Sequence, residues 1–164
     1  MLRKYVLEVS LVKTLESAIP IFKDVDMPAG GLHRFSAVIQ VEKTRPQHDG
    51  FERNAMMAAF GALKDLDFVI VVGEDIDIRN QDDVNYALAM RFDAARDLIV
   101  VPDARGHEMV RASVDGFRSK LGLDASVPFA QKEKFRRIEF APVEKRPDQL
   151  TVDRDLVLSR LNIG

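Results

Sequence analysis

The chain has no cysteine among its 164 residues. That excludes disulfides, thiolate zinc sites, iron–sulfur clusters and a cysteine nucleophile. It fits a reducing compartment. No stretch approaches the ~20 consecutive apolar residues of a membrane helix. A secretory leader is not expected either. Met1-Leu2-Arg3-Lys4 is a basic start, but Glu8, Lys13 and Glu16 interrupt the segment that would have to be apolar. A cytoplasmic location is the expectation. An excess of one charge is also missing, since 24 Lys and Arg face 26 Asp and Glu, a net charge of −2. Neither nucleic acid nor a membrane surface is the expected partner.

What is present suits one globular domain. A hydrophobic share of 46% and a charged share of 30% are ordinary for a folded chain. At this length roughly 70% of the unfolded surface can be buried, enough for one core. Leu7, Leu11, Leu15 and Ala18 mark one face of a helix over Leu2 to Ala18, which Pro20 ends. Asp26 to Gly31 reads as a loop. Alternation over Phe35 to Val41 predicts a strand, and Thr44 to Gly50 a break. Phe51, Ala55, Met56, Ala59, Phe60 and Leu63 predict a second helix. Phe68-Val69-Ile70-Val71-Val72 reads as a strand covered on both faces. Asp82 or Asp83 is the expected cap of a helix carrying Val84, Ala87, Leu88 and Arg91. Leu98 to Val101 reads as another buried strand, stopped by Pro102. This order implies βαβ units in a largely parallel sheet. Arg105 to Phe129 reads as loop-rich, Phe135 to Phe140 as an edge strand, and Val152 to Leu161 as a short final helix. A helix that short must dock on something.

The candidate chemistry is sparse. Glu74, Asp75 and Asp77 follow the Phe68 strand, where ligands of open α/β sheets sit. Three carboxylates there suit a hard cation. A solvated turn pairing with Arg79 and Arg91 is favoured, because Ile76 and Ile78 turn inward between them. His33, His48 and His107 have no metal-ligand spacing and fall in loops, although His107 beside Glu108 suits a general base. Gly30-Gly31 and Gly73 make no phosphate loop or dinucleotide fingerprint. No serine stands in a nucleophile elbow. Arg136-Arg137 with Phe135 and Phe140 reads as a solvated edge rather than an anion site.

Several segments, in order, resemble the C-terminal domain of the UbiD family of carboxy-lyases. Phe68 to Asp77 is similar to its apolar strand and acidic turn. Asp83-Val84-Asn85-Tyr86-Ala87-Leu88-Ala89-Met90-Arg91 is similar to its next helix, and Asp93-Ala94-Ala95-Arg96-Asp97 to the following link. Lys120-Leu121-Gly122-Leu123-Asp124-Ala125-Ser126 resembles its Lys-Met-Gly-Ile-Asp-Ala-Thr motif, and Gly30 to Lys43 its glycine-histidine entry and strand. The chain departs at Gly73, Tyr86, Met90 and Arg34, where the family usually has an acid, tryptophan, threonine and histidine.

The resemblance implies an α/β fold: one domain with a mainly parallel or mixed central sheet flanked by helices over residues 1–150, and a helical tail over 151–164. It implies decarboxylation of aromatic or α,β-unsaturated acids with prenylated flavin mononucleotide and a divalent metal. Those groups and the catalytic residues belong to an upstream domain, so no catalytic, cofactor-binding or metal-binding residue is assigned to this chain. Its expected part is oligomerisation, as a homodimer or larger, and closure over a cleft of a flavin-binding domain or separate catalytic subunit. Leu156, Leu158 and Leu161 of the tail are the expected intersubunit contacts. The alternative is a stand-alone small-ligand or metal-binding module using Glu74 to Arg79 and Pro102 to His107. An autonomous enzyme built on the three acids and His107 lacks a supporting spacing.

Overall fold

Leu11 and Leu15, one turn apart on the first helix, are both fully buried and anchor it to the sheet. The computed structural model describes residues 2–137. Helix α1 spans Leu2–Ala18, and β1 spans Phe22–Asp26. They are followed by β2 (Ser36–Val41), α2 (Phe51–Ala62) and β3 (Phe68–Gly73). Then come α3 (Gln81–Arg91), the single turn α4 (Ala94–Asp97), β4 (Leu98–Arg105) and β5 (Phe117–Ala125). Short 3-10 segments lie at Ala29–Gly31, Pro46–His48 and Phe129–Phe135.

The five strands form one mixed sheet in the order β1-β2-β3-β5-β4. The central β2–β3 and β3–β5 pairs are parallel, and β1 and β4 close the edges antiparallel. The alternation of β2 and β3 divides their side chains between two cores. Ala37, Ile39, Val69 and Val71 meet α1 and α2, while Val38, Ile70 and Val72 meet α3 through Val84 and Ala87. The Phe68 run is therefore covered on both faces, as its apolar continuity predicts. Gly122 of β5 makes room for Met56 of α2, since a Cβ there would stand 2.4 Å from Met56 Sδ.

Several expectations are corrected. Strand β5 lies within the segment from Arg105 to Phe129 expected to be loop-rich, and β1 lies after Pro20 in a stretch for which the sequence implies no element, meeting the expected loop only at Asp26. Strand β4 does not stop at Pro102 but continues to Arg105, with a register irregularity between Val101 and Ala104. Proline is tolerated there because an edge strand at a bulge leaves its nitrogen without a ladder partner to serve. Nor is β4 a buried parallel strand, since Val100 is 54% exposed. Only the β2–α2–β3 connection joins parallel neighbours. The cap of α3 is Asn80, whose side chain accepts from Asp82 N–H. Ile19 rather than Ala18 completes the buried stripe of α1. Phe135 ends a 3-10 segment. The rest of the expected Phe135 to Phe140 strand, the tail over 151–164 and Leu156, Leu158 and Leu161 lie outside the described residues. Among the described residues no helix is long and apolar enough to cross a membrane.

Candidate functional site

The parallel strands give the sheet a carboxyl edge, at Val41, Gly73 and Ala125, and an amino edge, at Ser36, Phe68 and Phe117. The carboxyl edge carries the acids singled out in the sequence, and each is engaged separately. Asp75 receives both terminal nitrogens of Arg91, one of them at 2.9 Å. That hydrogen bonding holds the Asp75 carboxyl below its ordinary pKa, against the opposing effect of its partial burial. Glu74 pairs with Lys132 at 2.5 Å, and Asp77 Oδ1 accepts from Arg79 N–H at 3.0 Å. Ile76 and Ile78 are buried between them. The structure thus has the paired turn. Among the described residues no group of three or more His, Asp or Glu side chains comes together to hold a metal.

Beneath this edge, Lys43 is 3% exposed and pairs with Glu52 and, at 3.1 Å, with Asp49. Its ammonium also donates to the Val127 carbonyl at 3.1 Å. Burial works against the charge, but the hydrogen bonds to Glu52 and Asp49 and the charges of Glu52 and Asp124 outweigh it and raise the Lys43 pKa. Arg137 pairs with Asp83 at 2.5 Å and lies 4.3 Å from the Tyr86 ring centroid, so it too is engaged. These cations are all paired, and they surround a pocket of about 360 Å³ whose lining includes Gly73, Asp75, Arg91, Lys132 and Arg137.

The amino edge is different. A groove of about 750 Å³ opens there, floored by Phe35, Ser36 and Phe68 and walled by Leu32, Met109 and Val110. Arg34, Arg118 and His107 also line it, and no acid does. Its apolar rim lacks cover: Leu32 is 72% and Met109 84% exposed. Leu32 and the following His33 both hold left-handed backbone, at φ 55° and 52°. Non-glycine residues occupy that region at a cost of about 1–2 kcal/mol each. The surrounding turn enforces it, through Leu32 N–H to Ala29 O (2.9 Å) and His33 N–H to Pro28 O (3.2 Å). The His33 ring contacts the Met27 carbonyl at 2.6 Å. Gly31 is required beneath this turn, because a Cβ there would come within 3.0 Å of the Ser36 backbone nitrogen.

Each arginine of the groove is held from behind by one aspartate. Arg34 donates from Nε to Asp65 Oδ2 at 2.8 Å and places Nη2 2.6 Å from the same oxygen. Arg118 Nη1 lies 2.9 Å from Oδ2 of the fully buried Asp67. Each guanidinium also lies over a floor ring, Arg34 at 5.8 Å from the Phe35 centroid and Arg118 at 5.6 Å from that of Phe68. Such contacts fix the planes of both groups. Burial raises the Asp67 pKa, although the charges of Arg118 and Lys120 oppose it. Lys120 is itself buried and donates to the Lys64 and Leu66 carbonyls at 2.8 and 2.6 Å, locking the loop that presents Asp65 and Asp67.

Of the three histidines only His107 reaches the groove. It accepts from Met109 N–H at Nδ1 (3.1 Å) and sets its ring edge against Phe35. Glu108 is exposed. His48 is buried in its 3-10 turn and accepts from Arg45 at 2.8 Å. Arg34, Phe35, Phe68 and Arg118 were not marked as a site by the sequence. The signal available was two Phe–Arg or Arg–Phe neighbours close to strand starts, which pattern reading treats as ordinary surface. The amino-edge groove does not fit a flavin phosphate with its metal. Gly31 is used in packing against Ser36, and no carboxylate lines the groove.

Comparison with known proteins places this geometry. A family model described as the 3-octaprenyl-4-hydroxybenzoate carboxy-lyase C-terminal domain matches residues 1–125. The anhydromevalonate phosphate decarboxylase of Methanothermobacter thermautotrophicus is 34% identical over 132 residues, covering 80% of this chain and 30% of its own. The gallate decarboxylase of Lactiplantibacillus plantarum is 34% identical over 148 residues, covering 83% of this chain and 30% of its own. The UbiD-class enzyme HmfF from Pelotomaculum thermopropionicum, solved in complex with FMN, superimposes with a TM-score of 0.79 at 35% identity. That match covers 90% of this chain and 33% of the enzyme. The chain therefore spans about a third of the length of the proteins it matches.

Proposed function

The chain belongs to the UbiD family of carboxy-lyases, matching its C-terminal domain, and on that premise we propose that it is the non-catalytic closing lobe of such a decarboxylase. It packs against a flavin-binding catalytic domain or subunit and supplies one wall of the substrate cleft. The carrying observation is the open groove at the amino edge, with exposed Leu32 and Met109 around Arg34, Arg118 and His107. An apolar floor with cations at its sides suits the two halves of an aromatic or α,β-unsaturated carboxylic acid. An apolar rim of this kind marks an interaction surface. Relatives named for gallate and for anhydromevalonate phosphate support that substrate class.

Prenylated flavin mononucleotide supplies the chemistry of carbon–carbon bond cleavage when bound, and it and the divalent metal are held by the other polypeptide. This chain's residues bind, orient and exclude water. Arg34 and Arg118 hold the carboxylate end, Phe35 and Phe68 lie along the hydrocarbon body, and Leu32 and Met109 seal the rim against the partner. The tail adds a second role, burying Leu156, Leu158 and Leu161 in a neighbouring copy to form a homodimer or larger assembly.

The test is association. Light scattering of the chain mixed with a flavin-loaded catalytic chain of the family is expected to show a complex. Met109→Asp, on the exposed rim, is expected to weaken it at least tenfold, since a charge replaces a buried apolar contact. A complex that forms equally well with Met109→Asp would sink the assignment of this face.

A further inference from the structure

We propose that the pocket at the carboxyl edge of the sheet binds a small organic oxyanion, a carboxylate or a phosphate ester, on the free side of the Arg91 guanidinium. The pocket, of about 360 Å³, lies between the ends of β2, β3 and β5, the end of α3 and the segment after β5. It stands at the opposite edge of the sheet from the groove and does not depend on how the groove is used. Arg91, the last residue of α3, lines it with a side chain only 2% exposed. Its two terminal nitrogens, Nη1 and Nη2, meet the two oxygens of Asp75 end-on. A guanidinium carries five N–H donors in one plane, so this pairing leaves Nε–H and the second Nη2 hydrogen as an unused, parallel pair. Among the described residues Arg91 Nε is buried and has no acceptor. A buried donor of a charged group is costly to leave unpaired, and folded proteins nearly always supply its partner.

The surroundings define that partner. What is missing is an acceptor, and a parallel N–H pair matches two oxygens of a carboxylate or a phosphate. Lys132, Arg136 and Arg137 stand round the same pocket. The ion pair of Arg136 with Glu133 is 3.9 Å long and Arg136 is 81% exposed, so its charge is free to act on a ligand. The acids of the lining oppose an anion weakly. Asp75 is engaged by Arg91 and Glu74 by Lys132, while Glu133 is exposed to screening by solvent. Val41, Val127 and Phe135 add apolar wall, and the volume is that of a small-molecule site. A bare ion leaves that wall wet, whereas an organic body covers it.

Nitrogen–proton NMR of the full 164-residue chain reads the site directly, through the sequentially assigned Arg91 Nε–H resonance. Binding in the groove, at the other edge, does not move this signal. The probes are phenyl phosphate, benzoate and inorganic phosphate at fixed ionic strength. Phenyl phosphate or benzoate is expected to shift the resonance saturably at millimolar concentration or below, and the tighter of the two identifies the head group. Inorganic phosphate is expected to bind severalfold more weakly than phenyl phosphate, since it buries no apolar surface. Lys132→Gln made together with Arg136→Gln removes two favourable charges, leaves the Arg91–Asp75 pair intact and strands no buried acid. That variant is expected to bind about tenfold more weakly. No saturable shift at Arg91 with any probe, an equal shift at the exposed arginines, inorganic phosphate binding as tightly as phenyl phosphate, or an affinity unchanged in the double variant overturns the proposal.

Discussion

Asp67, with none of its side chain exposed, stands 2.9 Å from Arg118, whose guanidinium reaches the groove at the amino edge of the sheet. The carboxylate is placed by backbone, because Asp67 N–H donates to Phe35 O and its carbonyl accepts from Leu121 N–H, at 2.9 and 2.8 Å. It therefore cannot follow solvent if its partner is lost. Arg118→Gln alone is expected to destabilise the fold by about 3 kcal/mol, the cost of stranding a buried charge. Adding Asp67→Asn is expected to restore most of it. Urea denaturation of the three proteins checks both, and additive losses in the double variant would show that the two residues are not coupled.

Asp124, at the end of β5, carries a pH prediction. Burial is the largest influence on its carboxyl and raises the pKa, hydrogen bonds from Ser126 oppose this, and the Glu52 charge adds to it. A carboxyl whose folded value lies above its unfolded value favours folding when protonated. Its contribution is full below the unfolded value of about 3.9 and is lost as pH rises through the folded value. Asp124→Asn is therefore expected to be more stable than the parent at neutral pH. Its stability should also fall less between about pH 4 and pH 7. Denaturation midpoints at the two pH values measure this, and a variant less stable at neutral pH would reverse the sign.

Leu32 couples strain to exposure. Its backbone is left-handed and its side chain is 72% exposed on the groove rim. Leu32→Gly is expected to stabilise the isolated chain by up to about 1 kcal/mol. The same change is expected to weaken assembly with the catalytic chain roughly tenfold, as a lost buried leucine would. Thermal melts and association measurements on the same variant separate the two effects. Unchanged association would show that this residue faces solvent in the assembly.

The helices and the central strands were legible because their burial follows simple periods. Helix α1 runs from Leu2 to Ala18 as its stripe implies, and the unbroken Phe68 run is indeed covered on both faces. Strand β5 was hidden by its charges. Lys120 and Asp124 point inward and are satisfied by Lys64 and Leu66 carbonyls and by Ser126, contacts that no local pattern announces. Strand β1 was hidden likewise by Lys23, Asp24 and Asp26, of which Lys23 pairs with Glu42 on the connection after β2. Pro102 misled because a proline excludes a central strand but not an edge at a bulge. The groove itself depends on β2, β3 and β5 lying side by side, which brings Arg34 and Arg118 together from distant parts of the chain. That adjacency is a property of strand order, and strand order was the part of the fold that local periodicity did not contain.

The decisive experiment is carbon dioxide release, measured for this chain alone, for a flavin-loaded catalytic chain of the family alone, and for the two combined with an aromatic or unsaturated acid. A closing lobe without reactive groups of its own predicts no release from the chain alone and a clear increase on combination. Release by the chain alone at the combined rate, or a mixture no faster than the catalytic chain by itself, would contradict it.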